Sequence, residues 1–146
     1  MAYLTSQRWS ADHSIRRMQF PLAGSQKAFK GGMCSALTGS TPGTSGQVWP
    51  AQNSSGHIVI GQFAQNVDNS TSTASSYVDV ELAYEVWPYW YDNATGAGAV
   101  VAAYLFSNVY VQDDHTVTVT AGAGIIAGRV WAIDSSLGVL VQHNQF

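Results

Sequence analysis

Residues 77–86 read YVDVELAYEV. Val78, Val80, Leu82, Tyr84 and Val86 alternate with Asp79, Glu81, Ala83 and Glu85 in a strict period of two, which predicts a strand with one face in a core and an acidic face turned outward. Pro88 has no N–H to give to a ladder, so the chain reaches an edge or a bend there. Working outward, residues 56–63 (GHIVIGQF), 109–111 (VYV), 116–120 (TVTVT) and 128–133 (GRVWAI) predict further strands, and residues 134–138 (DSSLG) turn the chain into 139–141 (VLV) as a C-terminal hairpin. Residues 37–46 (LTGSTPGTSG) and 66–76 (NVDNSTSTASS) are rich in Gly, Ser, Thr and Asn and read as loops. Short strands separated by Gly/Ser turns predict an all-β fold, a small β-barrel or β-sandwich of short antiparallel strands.

Two segments complicate this pattern. In residues 94–106 (ATGAGAVVAAYLF) the alanines favour a short helix, Gly96 and Gly98 oppose it, and the apolar end suits a buried strand equally well. Residues 60–63 (IGQF) and 127–130 (AGRV) echo each other, each placing a glycine just before a strand that runs on to an Asp turn; matches this short read as reused turn chemistry rather than a repeat.

A chain of 146 residues predicts one β-rich domain over residues 20–146, preceded by an extended arm over 1–19. Charged residues make up only 10% of the chain, against roughly a quarter in an average soluble domain, while 12% are aromatic. Such a surface predicts cover by a partner. Five of the six basic residues, Arg8, Arg16, Arg17, Lys27 and Lys30, fall within residues 1–30, where Asp12 is the one acid; residues 31–146 hold eight acids against Arg129. A basic arm on an acidic body predicts contact with an acidic partner.

The residues of chemistry do not assemble into a motif. Cys34 stands alone, so neither an intrachain disulfide framework nor a cysteine zinc site can form, and it reads as a half-buried small hydrophobe. His13, His57, His115 and His143 show no metal-ligand spacing. Asp113-Asp114-His115 reads as a hairpin turn before TVTVT more readily than as a carboxylate–imidazole pair. Gly122-Ala123-Gly124 followed by Gly128 has neither the spacing nor the setting of a phosphate-binding loop, and no GxSxG nucleophile turn is present. Asp79, Glu81 and Glu85 share one strand face, whereas glycosidase carboxylates face each other across a cleft. The sequence therefore assigns no catalytic residue, cofactor or metal. No apolar leader opens it, and its longest apolar run is too short to span a bilayer, which predicts a protein made in the cytoplasm with no membrane partner. Trp87-Pro88-Tyr89-Trp90-Tyr91 is the segment a soluble monomer would least expose; it reads as core, as a protein interface or as a ligand platform. Its acidic surroundings argue against nucleic acid.

Residues 29–33 (FKGGM) leading through 49–51 (WPA) to Ile60-Gly61, then Val80-Glu81-Leu82 with Glu85-Val86-Trp87, and finally 127–131 (AGRVW) to 136–139 (SLGV), resemble tailed-bacteriophage capsid decoration (cement) proteins. The likeness covers roughly residues 15–141, although the aromatic cluster is longer and the N-terminal arm has no counterpart. It implies a small β-barrel that binds the outside of an assembled phage head across neighbouring major capsid subunits, as a homotrimer or homodimer. Arg8, Trp9, Arg16, Arg17, Lys27, Lys30, Asp79, Glu81, Glu85, Trp87, Tyr89, Trp90 and Tyr91 are then the candidate capsid or oligomer contacts. The alternative is a carbohydrate- or receptor-binding β-domain of a phage fibre that uses the aromatic cluster as its platform.

Overall fold

A computed structural model describes residues 17–38, 46–71, 76–83 and 88–143. The strands are β1 (Arg17–Leu22), β2 (Gln26–Ala28), β3 (Met33–Leu37), β4 (Val48–Pro50), β5 (His57–Phe63), β6 (Val67–Asn69), β7 (Ser76–Leu82), β8 (Tyr89–Asn93), β9 (Asn108–Val111), β10 (Thr116–Thr118), β11 (Ile126–Asp134) and β12 (Gly138–Gln142). The period-two stretch behaves as its pattern dictates: Val78 and Val80 are fully buried in β7, while Asp79 and Glu81 point outward. Its expected continuation through Tyr84, Glu85 and Val86 lies outside the described residues.

The all-β barrel expected from the sequence is present, and there are two of it. The first closes in the order β1-β4-β3-β5-β7 and the second in the order β10-β8-β12-β11-β9. Leu22, Cys34, Val48, Phe63, Val78 and Val80 fill the first. Tyr91, Val109, Val111, Val117, Val130, Val139 and Val141 fill the second, whose core also takes in Met33, Ala51 and Val59 from the first barrel's segment. The barrels therefore pack on each other. Met33 donates its N–H to Asp114 O at 2.6 Å, and Ala123 donates its N–H to Asn53 Oδ1 at 2.7 Å.

The two barrels have one topology. In each, the first strand lies parallel to the third and antiparallel to the fifth, and the second is antiparallel to both the third and the fourth, which in turn pairs with the fifth. The registers also match. Cys34 faces Gly61 as Val109 faces Gly128; Val48 sits between Leu22 and Ala36 as Val117 sits between Asn93 and Val111; Phe63 faces Val80 as Val130 faces Val141. Even the hydrogen bond beyond the first strand recurs: Ala23 N–H to Val48 O and Ala94 N–H to Val117 O, both 3.0 Å. Gly61 and Gly128 occupy the same rung, and a side chain on either would strike a neighbouring backbone carbonyl. A Cβ on Gly61 would stand 1.9 Å from Glu81 O, and one on Gly128 would stand 2.1 Å from Gln142 O, again at equivalent positions. The short echo between IGQF and AGRV therefore marks a structural repeat and not merely reused turn chemistry.

The connections differ where the rungs agree. In the first barrel, β2 follows β1 and β6 follows β5, and the two pair into a ribbon whose Ala28 and Val67 pack into the core. That overturns the reading of 66–76 as loop throughout. The segment 17–19, expected as arm, is the start of β1, paired rung by rung with β7 because its residues complete the barrel's closing ladder. Residues 94–106 are neither an α-helix nor a buried strand. They form two 3-10 turns, Gly96–Gly98 and Ala102–Tyr104, and every residue from 101 to 108 is exposed.

Candidate functional site

The predicted contact residues disperse. Arg8, Trp9, Arg16, Glu85 and Trp87 lie outside the described residues. Arg17 Nη2 pairs with Glu81 Oε1 of its own chain at 3.0 Å, and Gln19 Nε2 donates to Asp79 Oδ1 at 3.4 Å. The acidic face of β7 is thus answered by β1 beside it. Lys27 pairs with Asp68 at 2.9 Å, and Asp68 is held down to about 2 by the Ser70 hydroxyl, the Ser70 N–H and Lys27. Lys30 contributes its backbone N–H to Asn66 Oδ1.

The aromatic segment is divided by strand alternation instead of forming one surface. Along β8, Tyr91 is buried, Tyr89 half-buried and Trp90 38% exposed, because successive side chains point to opposite faces. Tyr91 donates its hydroxyl hydrogen to His143 Nε2 at 2.7 Å, and His143 Nδ1–H donates to Ala127 O at 2.7 Å, the tautomer that a carbonyl acceptor requires. Complete burial lowers His143 to about 4, against the opposing pull of the Ala127 carbonyl, so the ring is neutral. Burial likewise raises Tyr91. Gln62 Nε2 of the first barrel donates to the same Tyr91 oxygen at 3.4 Å, and Tyr89 OH donates to Glu81 Oε2 at 3.3 Å. Tyr89 and Tyr91 are therefore cross-braces between barrels and leave Trp90 as the one exposed ring among the described members of the cluster.

Two polar clusters invite a chemical reading. Ser35 Oγ lies 2.8 Å from His57 Nδ1, and Gln52 Nε2 lies 3.1 Å from His57 Nε2. The amide of Gln52 must donate to Nε2, so Nδ1 carries the hydrogen and donates to Ser35, whose own hydrogen is directed at Trp49 O. A histidine that gives its proton to the serine cannot take one from it, and Ser35 is wholly buried. At the turn between β9 and β10, His115 Nδ1 lies 2.9 Å from Asp114 Oδ1 and 3.1 Å from Asp113 Oδ1. The hydrogen bond to Asp114 raises His115, and the antiparallel pairing of β9 with β10 makes this a hairpin turn, as the sequence predicts. The three side chains lie close enough together to offer ligands to a cation, and among the described residues their side-chain hydrogen bonds stay within the turn.

Two features of the second barrel went unread in the sequence. One is an apolar ledge. Val101, Tyr104, Leu105 and Phe106 are exposed, and across from them stands Trp131, with Phe106 63% and Trp131 46% accessible and their rings edge-to-face at 5.9 Å. The ledge is fixed in place: Phe106 N–H bonds to Val130 O at 2.8 Å, Val130 N–H to Ser107 O at 3.0 Å, and Trp131 Nε1–H to Gln142 Oε1 at 2.6 Å. Phe106 also holds a φ of 64°, a left-handed conformation that bulky residues avoid at a cost of about 1–3 kcal/mol and that concentrates at functional sites.

The other feature is a cleft of about 540 Å³ at one end of the second barrel, lined by Asp92, Asn93, Ala94, Thr95, Gln112, Thr116, Ile133, Asp134, Ser135, Ser136 and Gly138. Asp134 accepts the N–H groups of Ser136 and Leu137 and so shapes the turn on its rim; the Leu137 bond, then the Ser136 bond, lower its carboxyl. Asn93 fixes the opposite wall by exchanging two 2.8 Å hydrogen bonds with the backbone of Val100. No helix among the described residues is long and apolar enough to cross a membrane. No protein-family model, no curated protein and no solved structure matches this chain.

Proposed function

We propose that this protein is a non-catalytic structural component of a tailed-phage virion, made in the host cytoplasm, that decorates the outer surface of the assembled head and ties neighbouring major capsid subunits together. The observation that carries the reading is the ledge of Val101, Tyr104, Leu105, Phe106 and Trp131: apolar, exposed and already hydrogen-bonded into its shape. Apolar and aromatic side chains supply the core of protein interfaces, and a surface ordered in advance loses less entropy on docking. The low charge content fits the same purpose, since few ions have to be desolvated when such a face is covered. A protein that binds only the assembled lattice stabilises that lattice by mass action, and repetition of the site, whether the protein arrives as a homotrimer or a homodimer, makes a modest affinity per copy sufficient.

The test is co-sedimentation with purified heads. Phe106→Asp and Trp131→Ser, each on the surface, are expected to leave the fold intact and to lower head occupancy at least about tenfold, the effect of losing a central aromatic anchor. Removing residues 1–16, which spares β1, is expected to weaken occupancy further through loss of Arg8, Trp9 and Arg16. Full decoration by the Phe106→Asp variant would refute the proposal.

A further inference from the structure

The cleft in the second barrel has a counterpart in the first, and there it is filled. The lining residues Asn93 and Ala94 correspond to Leu22 and Ala23, whose carbonyls both accept from Asn69 Nδ2 at 3.2 Å. Asn69 belongs to the β2/β6 ribbon, which is anchored at this same end by Ser25 N–H to Asn69 O and by Ser76 Oγ–H to Asn69 Oδ1. In the second barrel the connection that corresponds to the one carrying β6 is only the short turn of residues 135–137, and the connection after β8 departs as the 3-10 turns of the ledge. One end of a repeated barrel is thus plugged by the chain's own hydrogen-bonding ribbon in one copy and open in the other.

The lining indicates what would fill the open end. Its polar side chains are the carboxylates of Asp92 and Asp134, the amides of Asn93 and Gln112, and the hydroxyls of Thr95, Thr116 and the turn serines; Ala94 and Ile133 are its apolar side chains. Among the described residues, Asp92, Thr95 and Gln112 make no side-chain hydrogen bond that would have to be broken. Among the described residues of the lining there is no lysine, arginine or histidine, so a phosphate or carboxylate would meet the like charge of Asp92 and Asp134, with His115 beside Asp92 the nearby basic group. The volume is far beyond what a coordinated ion needs, and Asp134 is already committed to its turn. Planar carboxylates and amides beside hydroxyls are the groups that share hydrogen bonds with adjacent hydroxyls. Trp90, two residues before Asp92 on the same outer side of β8, sets an exposed ring at roughly 7 Å along the strand.

We propose that this cleft is a binding site for a neutral saccharide of two or three rings, with Asp92 and Gln112 as its hydrogen-bonding anchors and Trp90 as a flanking stacking face. The site is separate from the head-docking ledge and stands or falls independently of it.

The test is a titration of the full chain, isotope-labelled, with maltotriose, cellotriose, chitotriose and mannotriose in turn, read by amide chemical shifts in the presence of a chelator, with calcium chloride alone as a parallel arm. The expected result is saturable shifts confined to residues 92–95, 112 and 134–136 for at least one trisaccharide. Asp92→Asn and Gln112→Ala, both checked by an unchanged spectrum away from the cleft, should each weaken binding about tenfold, the loss expected for an anchoring hydrogen bond to a charged or amide group. Trp90→Ala should weaken it less. Absence of saturable shifts with all four sugars, affinity unchanged in Asp92→Asn, or shifts at these residues driven by calcium alone would each overturn the proposal.

Discussion

Residues 17–83, which build the first barrel, carry three basic and three acidic side chains, of which Arg17 pairs with Glu81 and Lys27 with Asp68; residues 88–143, which build the second on the same strand order, carry four acids against Arg129 and present an apolar ledge and an open cleft. The difference lies in the connections and not in the rungs. Where the first barrel carries β2 and β6 in the connections after β1 and β5, as a ribbon at one end, the second carries the exposed ledge of 101–107 in the connection after β8 and closes β11 to β12 with a short turn. A barrel tolerates this because its stability resides in the buried ladder, whereas loops on its ends can be exchanged without disturbing the core. On the proposed function, the first copy serves as scaffold and the second carries the docking surface.

The equivalence itself can be broken most forcefully at the paired glycines. Gly61→Ala and Gly128→Ala each drive a methyl group into a backbone carbonyl that cannot move without parting two strands, so each is expected to cost about 3 kcal/mol or more, Gly128→Ala the more because its φ of 153° adds backbone strain. Denaturant unfolding measures both. A near-neutral result for one, beside a severe loss for the other, would show that the two rungs are not the same rung.

Acid should separate the barrels next. His143 is buried in the second barrel with its pKa lowered to about 4 from 6.5, so the unfolded chain binds a proton that the folded chain refuses. Its contribution is complete above pH 6.5 and is lost as the pH falls from there toward 4, a change of about 3 kcal/mol. His57 in the first barrel is lowered in the same direction by burial, but one of its ring nitrogens faces the exposed Gln52. His143→Gln is therefore expected to flatten the slope of stability against pH over this window far more than His57→Gln. Hydrogen exchange at pH 5 should find the amides of β8, β11 and β12 opening before those of β1, β5 and β7. Equal slopes in the two variants would remove the contrast.

How much of this was legible beforehand follows from the physics of each signal. Strands with one face buried announce themselves by alternation, so β5, β7, β11 and the β11–β12 hairpin were readable from His57, Val78, Val130 and the DSSLG turn. The short strands β2, β4 and β6 have three residues each, too few for a period to emerge from the Gly/Ser/Asn background. The repeat was hidden because a barrel rung asks only for a residue that fits: Cys34 does the work of Val109 and Phe63 that of Val130, while the shared valines, Val48 with Val117 and Val80 with Val141, are too common in strands to mark a repeat, which leaves the paired glycines as its one distinctive trace. The ledge was misread for a related reason. Val-Val-Ala-Ala-Tyr-Leu-Phe has the composition of a core, and composition does not distinguish apolar residues that a chain buries from those it holds ready for a partner. The cleft draws on four separate connections and strand ends, which no local pattern brings together.

The smallest expected effect sharpens the comparison by showing what the first barrel's charges do not do. Arg17 and Glu81 meet at 3.0 Å, but both are solvent-accessible, and exposed pairs of this kind contribute between nothing and about 1 kcal/mol. Glu81 keeps a second partner in the hydroxyl of Tyr89, so Arg17→Gln leaves no buried charge behind. Its cost should be within that range, should shrink with added salt, and should vanish in a double-mutant cycle with Glu81→Gln once the screening is complete. In head co-sedimentation the same variant should behave as the parent protein, because the side chain closes a ladder and presents no docking surface. If Arg17→Gln folds normally yet fails to decorate heads, while Phe106→Asp decorates them fully, the roles of the two barrels are reversed: the charged face of the first is then the docking surface, and the ledge of the second serves another purpose.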